Sequence, residues 1–277
     1  MPQKPTFACD LPTSSPLSEA VAQQEGTTLE TVREALAQKR LILAFQPVVQ
    51  TAHLDQVAFY EGLIRVLDQK GRIIPAREFI KIVTKCEIGR TIDTLVLEKG
   101  FEAIASTKTT RVSLNMSARS IGCPNWNAAL HEGLRKDPTA GERLIIEISE
   151  QCASAVPEMV GKFMDKLHAL GVSFALDNFG SGFASYQVVK DHFFDMLKID
   201  ESFVKGIHSD PDKRAIVRSM ALLAHELDLF TVAKNVETHE DAETLMDIGV
   251  DCMQGYYFGA PTIKPYWEKE DPRQRVG

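Results

Sequence analysis

The sequence predicts an α/β protein, a TIM-like (β/α)8 barrel in which one strand runs antiparallel. Eight short runs of apolar and β-branched residues recur along the chain: LILAFQPVV (41–49), QVAFYEGLIRV (56–66), RVSLNMS (111–117), RLIIEISE (143–150), SFALDNF (173–179), FDMLKID (194–200), FTVAKNVE (230–237) and CMQGYYFG (252–259). Helix-like segments fill most of the gaps between them, and such alternation argues for a parallel sheet that eight strands can close into a barrel. The link between the first two runs is too short for a helix. Those two therefore form a hairpin, and one strand opposes the rest.

Each element has a local reason. Residues 1–25 are rich in Pro, Ser and Thr without a period and read as a flexible tail. A helix is expected from Thr27 or Thr28, where TTLETVREALAQK places helix formers after a capping threonine. REFIKIVTKCEIGRTIDTLVLEKGFEAI (77–104), PEMVGKFMDKLHALG, KRAIVRSMALLAHELD and HEDAETLMDIG supply further helices, two of which close on Gly171 and Gly249. The reading is one barrel domain over 26–267 and a loose end over 268–277.

The 277 residues are 44% hydrophobic and 25% charged, ordinary for a globular domain with a sizeable core. A net charge of −7 gives no reason to expect a nucleic-acid polymer or a membrane surface as partner. Five cysteines, Cys9, Cys86, Cys123, Cys152 and Cys252, form no CxxC pair, so reduced thiols in a cytoplasmic protein are expected. No signal peptide is visible, and no apolar run approaches the roughly 18 residues of a membrane helix.

Polar residues stand near the C-terminal ends of the runs: Glu61, Asn115, Glu147, Asp177, Lys198 and Glu237. Singly, each reads as a solvated strand end. Together, in a barrel, they converge on the face where such enzymes place their chemistry. Glu61, Asn115, Glu147 and Asp177 are hard oxygen donors suited to Mg²⁺, Mn²⁺ or Ca²⁺, and a cation would relieve their mutual repulsion. Asn178-Phe179-Gly180-Ser181-Gly182 reads as a simple loop, as a phosphate cradle or as a lid. Lys198 either pairs with Asp200 or a neighbouring carboxylate, or orients water and steadies a phosphate oxygen. Arg65 is a surface charge or a phosphate fork. His168, His225 and His239 receive no role.

The motifs FQPVV, EGLIR, LNMS, IEISE, LDNFGSG, LKID, AKNVE and QGYYFGAP, in this order over roughly residues 30–265, resemble the EAL family, the phosphodiesterases that cleave cyclic di-GMP. The resemblance implies a barrel with one antiparallel strand. It implies Glu61, Asn115, Glu147 and Asp177 as metal ligands, Lys198 as a catalytic lysine, and Glu237 and Gln254 as supports of the site. It implies that Glu150 anchors the loop carrying Ser181. It places Gln46, Leu63 and Arg65 along the dinucleotide groove, with Glu61, Asn115, Asp177 and Gln254 also facing the nucleotide. Family members often dimerise, which makes a homodimer the expectation.

Three departures bear on chemistry. Asn178 stands where LDDFGTG has an aspartate, Lys234 where AEGVE has its first glutamate, and Asn235 where AEGVE has glycine; Gly62 for the alanine of EALLR is mild. Lys234 either turns inward as an internal counter-ion or swings outward and merely weakens the metal site. The inward reading implies a degenerate site: a non-hydrolysing module that binds cyclic di-GMP or a protein partner, with Mg²⁺ or Mn²⁺ at most at one weakened site. The alternative is a weakly active metal-dependent phosphodiesterase yielding pGpG. With no sensor or cyclase segment before residue 25, a signal is expected to arrive through binding.

Overall fold

The computed structural model describes residues 16–38, 40–83, 86–182, 185–264 and 267. The expectations for residues 1–15 and 268–277 lie outside the described residues.

Helix α1 (Pro16–Ala37) begins well before Thr27. Thr27 does not cap it; its hydroxyl donates back to the Gln23 carbonyl at 2.9 Å, as threonines do inside helices. Part of the expected tail is therefore helix. Strands β1 (Leu41–Gln50) and β2 (His53–Leu67) follow, joined by a tight turn at Thr51 and Ala52 and paired antiparallel with Gln46 opposite Glu61. A short β3 (Ile73–Pro75), which the apolar pattern does not signal, pairs with the far end of β2 outside the ring. The helix expected over 77–104 is two helices, α2 (Ala76–Val83) and α3 (Glu87–Ala105). Cys86, with extended backbone (φ −119°, ψ 165°), is the N-cap of α3, and helical sequence period does not register so short a break.

The remaining elements alternate. They are β4 (Val112–Asn115), α4 (Pro124–Lys136), β5 (Leu144–Ser149), α5 (Glu150–Ala155), α6 (Pro157–His168), β6 (Ser173–Phe179), α7 (Ser185–Asp191) and β7 (Met196–Ile199). Then come α8 (Glu201–Val204), α9 (Pro211–Glu226), β8 (Phe230–Ala233), α10 (His239–Ile248) and β9 (Cys252–Gln254). Prolines stand in the first turn of α4, α6 and α9, where no helical N–H partner is lost. At the end of α10 Gly249 takes φ +90° and donates to the carbonyls of Leu245 and Met246, the left-handed cap for which glycine is suited.

The sheet order β1-β9-β8-β7-β6-β5-β4-β2, closed by the β1–β2 pairing, makes an eight-stranded barrel. β1 is antiparallel to both neighbours, and all other neighbours in the ring are parallel. The fold expectation holds, including its one reversed strand. Outward-facing strand residues such as Leu114, Ile146, Phe174, Leu176 and Leu197 pack under the helices with Trp126 and Phe163. Inside the barrel, Val48, Phe59, Ile145, Ala175, Val232 and Cys252 form a separate apolar plug, with Met196 against it. Among the described residues no helix is long and apolar enough to cross a membrane.

Two histidines left without a role in the sequence prove to brace the barrel wall. Asp195, just before β7, accepts the Phe174 N–H at 2.7 Å and pairs with His168 of α6 at 3.2 Å. The arrangement recurs at Asp251, before β9, which accepts the Thr231 N–H at 2.8 Å and hydroxyl at 2.6 Å and pairs with His225 of α9 at 3.1 Å. Thr231 is fully buried, whereas His225 is exposed. Removing the carboxylate strands buried donors, but removing the imidazole loses only a surface pair. Asp251→Ala is therefore expected to lower unfolding stability by about 1–3 kcal/mol and His225→Ala by under about 1 kcal/mol. Urea melts of both variants check the order; equal losses would show that the strand-end hydrogen bonds contribute little.

Candidate functional site

Strand alternation builds the site. Side chains two apart on a strand share a face, so each interior plug residue is followed, one step up the strand, by another interior position. Phe59 leads to Glu61, Ser113 to Asn115, Ile145 to Glu147, Ala175 to Asp177, Met196 to Lys198, Val232 to Lys234 and Cys252 to Gln254. On the reversed β1 the order inverts, and Gln46 precedes Val48. Every strand of the ring thus contributes one polar side chain above the apolar plug: three carboxylates, three amides and two ammoniums. β8 ends at Ala233, yet Lys234 keeps the facing set by Val232 and reaches into the ring.

Lys198 is the centre of this layer and is wholly buried. Its ammonium lies 2.6 Å from both Glu147 oxygens and 2.8 Å from Glu61 Oε2. Of the two structural readings, pairing with a neighbouring carboxylate is the one realised; Asp200 instead caps α8 through the Ser202 N–H. Glu61 also accepts from Asn115 Nδ2 at 2.8 Å and Gln254 Nε2 at 2.7 Å. Gln254 Nε2 reaches Gln46 Oε1 at 3.2 Å, and Gln46 Nε2 donates to the Gly259 carbonyl at 3.0 Å, tying the layer to the segment after β9.

On the other side of the ring, Lys234 Nζ lies 2.5 Å from Asp177 Oδ1 and 2.6 Å from Asn178 Oδ1. The lysine turns inward. Both asparagines at the departures sit in left-handed backbone, Asn178 at φ +59° and Asn235 at φ +61°. Asparagine tolerates that region better than most side chains, so the loss of glycine at 235 leaves the turn intact. The turn is held by Gly255, where any Cβ would fall 1.9 Å from the Val236 carbonyl oxygen.

The glycine-rich turn after β6 is not an open phosphate cradle. Glu150, buried at the start of α5, accepts from the N–H groups of Gly180 at 3.1 Å and Gly182 at 3.3 Å. The Ser181 N–H and hydroxyl both donate to the Asn178 carbonyl. These amides are spent inside the loop, and Glu150 anchors it on both sides of Ser181.

Leu63 and Arg65 continue the interior face of β2 above Glu61 and are half-buried. Burial lowers the Arg65 pKa, while Tyr256 and Glu61 oppose that shift. Glu237 is not brought to the ring; it pairs with Lys205 at 3.2 Å. Asp93 was not foreseen from the sequence: it accepts from the Ser117 N–H at 3.0 Å and Ser120 hydroxyl at 2.6 Å and so holds the segment following Asn115. Its only sequence trace is a carboxylate beside the core residues of α3.

Two carboxylates share the Lys198 ammonium, and their environments separate them. Burial would raise Glu61, but the Lys198 charge and hydrogen bond, the Gln254 hydrogen bond and the Lys234 charge outweigh it and hold Glu61 down at about 2. Glu147 has no comparable set of amide donors; burial, with Glu61 and Asp177 nearby, pushes it up to about 7 against the pull of Lys198. Burial opposes the Lys198 charge, but Glu147, Glu61 and Asp177 raise its pKa overall.

The oxygen donors Glu61, Asn115, Glu147 and Asp177 are of the class that binds Mg²⁺ or Mn²⁺. As arranged, however, both Glu147 oxygens and one Glu61 oxygen face Lys198, and Asp177 Oδ1 and Asn178 Oδ1 face Lys234. Among the described residues no three His, Cys, Asp or Glu side chains are grouped to hold a metal. This set does not fit a pair of divalent ions.

A family model described as the EAL domain matches residues 29–261, and the chain belongs to that family. An uncharacterized signaling protein of Caulobacter vibrioides is 32% identical over 233 residues, covering 83% of this chain and 28% of that protein. The cyclic di-GMP phosphodiesterase PdeB of Shewanella oneidensis is 29% identical over 247 residues, 87% of this chain and 29% of PdeB. The chain thus spans under a third of the length of these relatives. Among solved structures, the PaMucR phosphodiesterase in its c-di-GMP complex aligns with TM-score 0.78 at 25% identity, over 88% of this chain and 99% of that one. The Pseudomonas aeruginosa FimX EAL domain bound to c-di-GMP gives TM-score 0.78 at 24% identity, over 85% and 96%, and bears on the fold alone.

The Glu147 shift carries a stability signature. A pKa raised from 4.5 to about 7 in the folded state adds stability that is complete below 4.5 and lost as pH climbs to about 7. Glu61, lowered from 4.5 to about 2, acts oppositely, losing its contribution only as pH falls below 4.5. Asp93, raised by burial to about 6, has the same sign as Glu147 but is common to wild type and variant. Between pH 4.5 and 7, wild type is expected to lose stability that Glu147→Gln does not lose, read by urea melts across that range. Parallel pH curves would show that Glu147 ionises normally.

Proposed function

We propose that this chain is a degenerate EAL domain, a non-hydrolysing signalling module that binds cyclic di-GMP and acts by engaging a protein partner. The observation that carries this reading is the Lys234 ammonium on Asp177 Oδ1 and Asn178 Oδ1. Two-metal phosphodiester cleavage requires ions about 3.5–4 Å apart. Two unit charges about 4 Å apart repel by roughly 4 kcal/mol at an effective dielectric of 20, and each 1.4 kcal/mol is about tenfold in affinity. A divalent ion meets twice that repulsion. Asn178, neutral where the family motif has aspartate, returns none of it.

The nucleotide part of the reading is supported by Gln46 within the ring, by Leu63 and Arg65, which continue the interior face of β2 above Glu61, and by the likeness to the PaMucR phosphodiesterase in its c-di-GMP complex. Calorimetry with cyclic di-GMP and chromatography for pGpG test it together. Binding without product is the expected result. Turnover near 1 per second would instead establish an active phosphodiesterase. No binding at high micromolar ligand would leave a scaffold that recognises protein alone.

The ammonium's effect on metal is separable from the nucleotide. Lys234→Glu combined with Asn178→Asp restores two carboxylates beside Asp177. Titration with Mn²⁺, followed by its paramagnetic resonance signal, is expected to show at least about hundredfold tighter binding than wild type. Unchanged affinity would show that the lysine is not the obstacle.

A further inference from the structure

We propose that Lys234 is a tethered cation for the ligand as well as for the protein, so that this site takes an anionic phosphodiester without any divalent ion. The inference rests on the cyclic di-GMP reading above and specifies how that ligand is held.

An ammonium carries three N–H donors. Two of those of Lys234 point at Asp177 Oδ1 and Asn178 Oδ1. The side chain is 18% exposed, against 0% for Lys198, so Lys234 is the more open of the two ammoniums in the polar layer. Lys198 has its three donor directions turned to Glu61 and Glu147 and has none for a ligand. Lys234 has one remaining, and because Asp177 and Asn178 hold the other two, the tetrahedral ammonium fixes the direction of the third N–H before a ligand arrives.

The charges of the layer agree. Three carboxylates face two ammoniums, with Lys198 on Glu61 and Glu147 and Lys234 on Asp177. One carboxylate charge is left in excess without a bound metal, so an incoming phosphodiester meets far less repulsion than three bare carboxylates would give. Arg65, half-buried on the same face of β2 as Glu61, stands at the same mouth and supplies a second fixed cation. A charge-assisted hydrogen bond from a pre-oriented ammonium to a phosphodiester oxygen does what a bridging divalent ion would otherwise do for binding. It supplies no activated water.

The test is calorimetry with cyclic di-GMP on the full chain, in EDTA and in millimolar Mg²⁺, for wild type, Lys234→Met and Lys234→Arg. The expected dissociation constant for wild type differs by no more than about threefold between the two conditions, and Lys234→Met weakens it at least about tenfold in both, while Lys234→Arg recovers most of the loss. Wild-type binding that requires Mg²⁺ overturns the proposal, and this arm needs no variant to fold. Equal affinity of Lys234→Met and wild type overturns it as well. Absence of wild-type binding in either condition overturns the underlying nucleotide reading, a result distinct from the other two.

Discussion

Closing eight strands into a ring obliges every second side chain to point inward, and the chain uses that constraint twice. The lower interior positions are mainly apolar and make a plug of Val48, Phe59, Ile145, Ala175, Val232 and Cys252. The positions one step higher are all polar. A polar layer is tolerable there because the mouth is near water and because most of its groups pair with one another, amide to carboxylate, carboxylate to ammonium and amide to amide, although Gln254 Oε1 is buried without a partner among the described residues. Helices, caps and the histidine–aspartate braces on the barrel wall keep the strands in the register that this layering needs.

Within that layer electrostatics decides the chemistry. Lys198 neutralises the Glu61–Glu147 pair from the centre, and Lys234 neutralises Asp177 from the mouth. An active two-metal site must keep carboxylates in excess, so that ions are drawn in and their bound water is made acidic. Here the excess is offset by a lysine that continues the facing of Val232 and turns inward onto Asp177 and Asn178. The same lysine keeps one N–H beyond the two held by Asp177 and Asn178. Under the proposed reading, loss of catalysis and retention of anion recognition are two consequences of one charge.

Much of this was legible in the residues. The eight apolar runs, their helical spacers and the short first link determined the barrel and its reversed strand, because period and link length are local quantities. Glu61, Asn115, Glu147, Asp177 and Lys198 could be picked out as polar ends of apolar runs. Other features were less readable. The break between α2 and α3 is too short to interrupt the helical period, and α1 runs through Thr27 because a threonine hydroxyl can bond back into a helix as readily as cap one. Glu237 reads like a site residue but answers to Lys205, a partner far off in sequence. The glycine-rich turn offers amides in the sequence that Glu150 has already claimed in space.

The sequence by itself determined the fold class, the family and the two exchanged charges at 178 and 234. What only the tertiary structure decided is that these two positions meet. They lie 56 residues apart, on β6 and just past β8, and no local pattern states whether a lysine after a strand turns to solvent or to a carboxylate across the ring. Strand alternation and the closure of the barrel settle that direction, because they fix where the Lys234 Cβ points before its charge has any choice of partner.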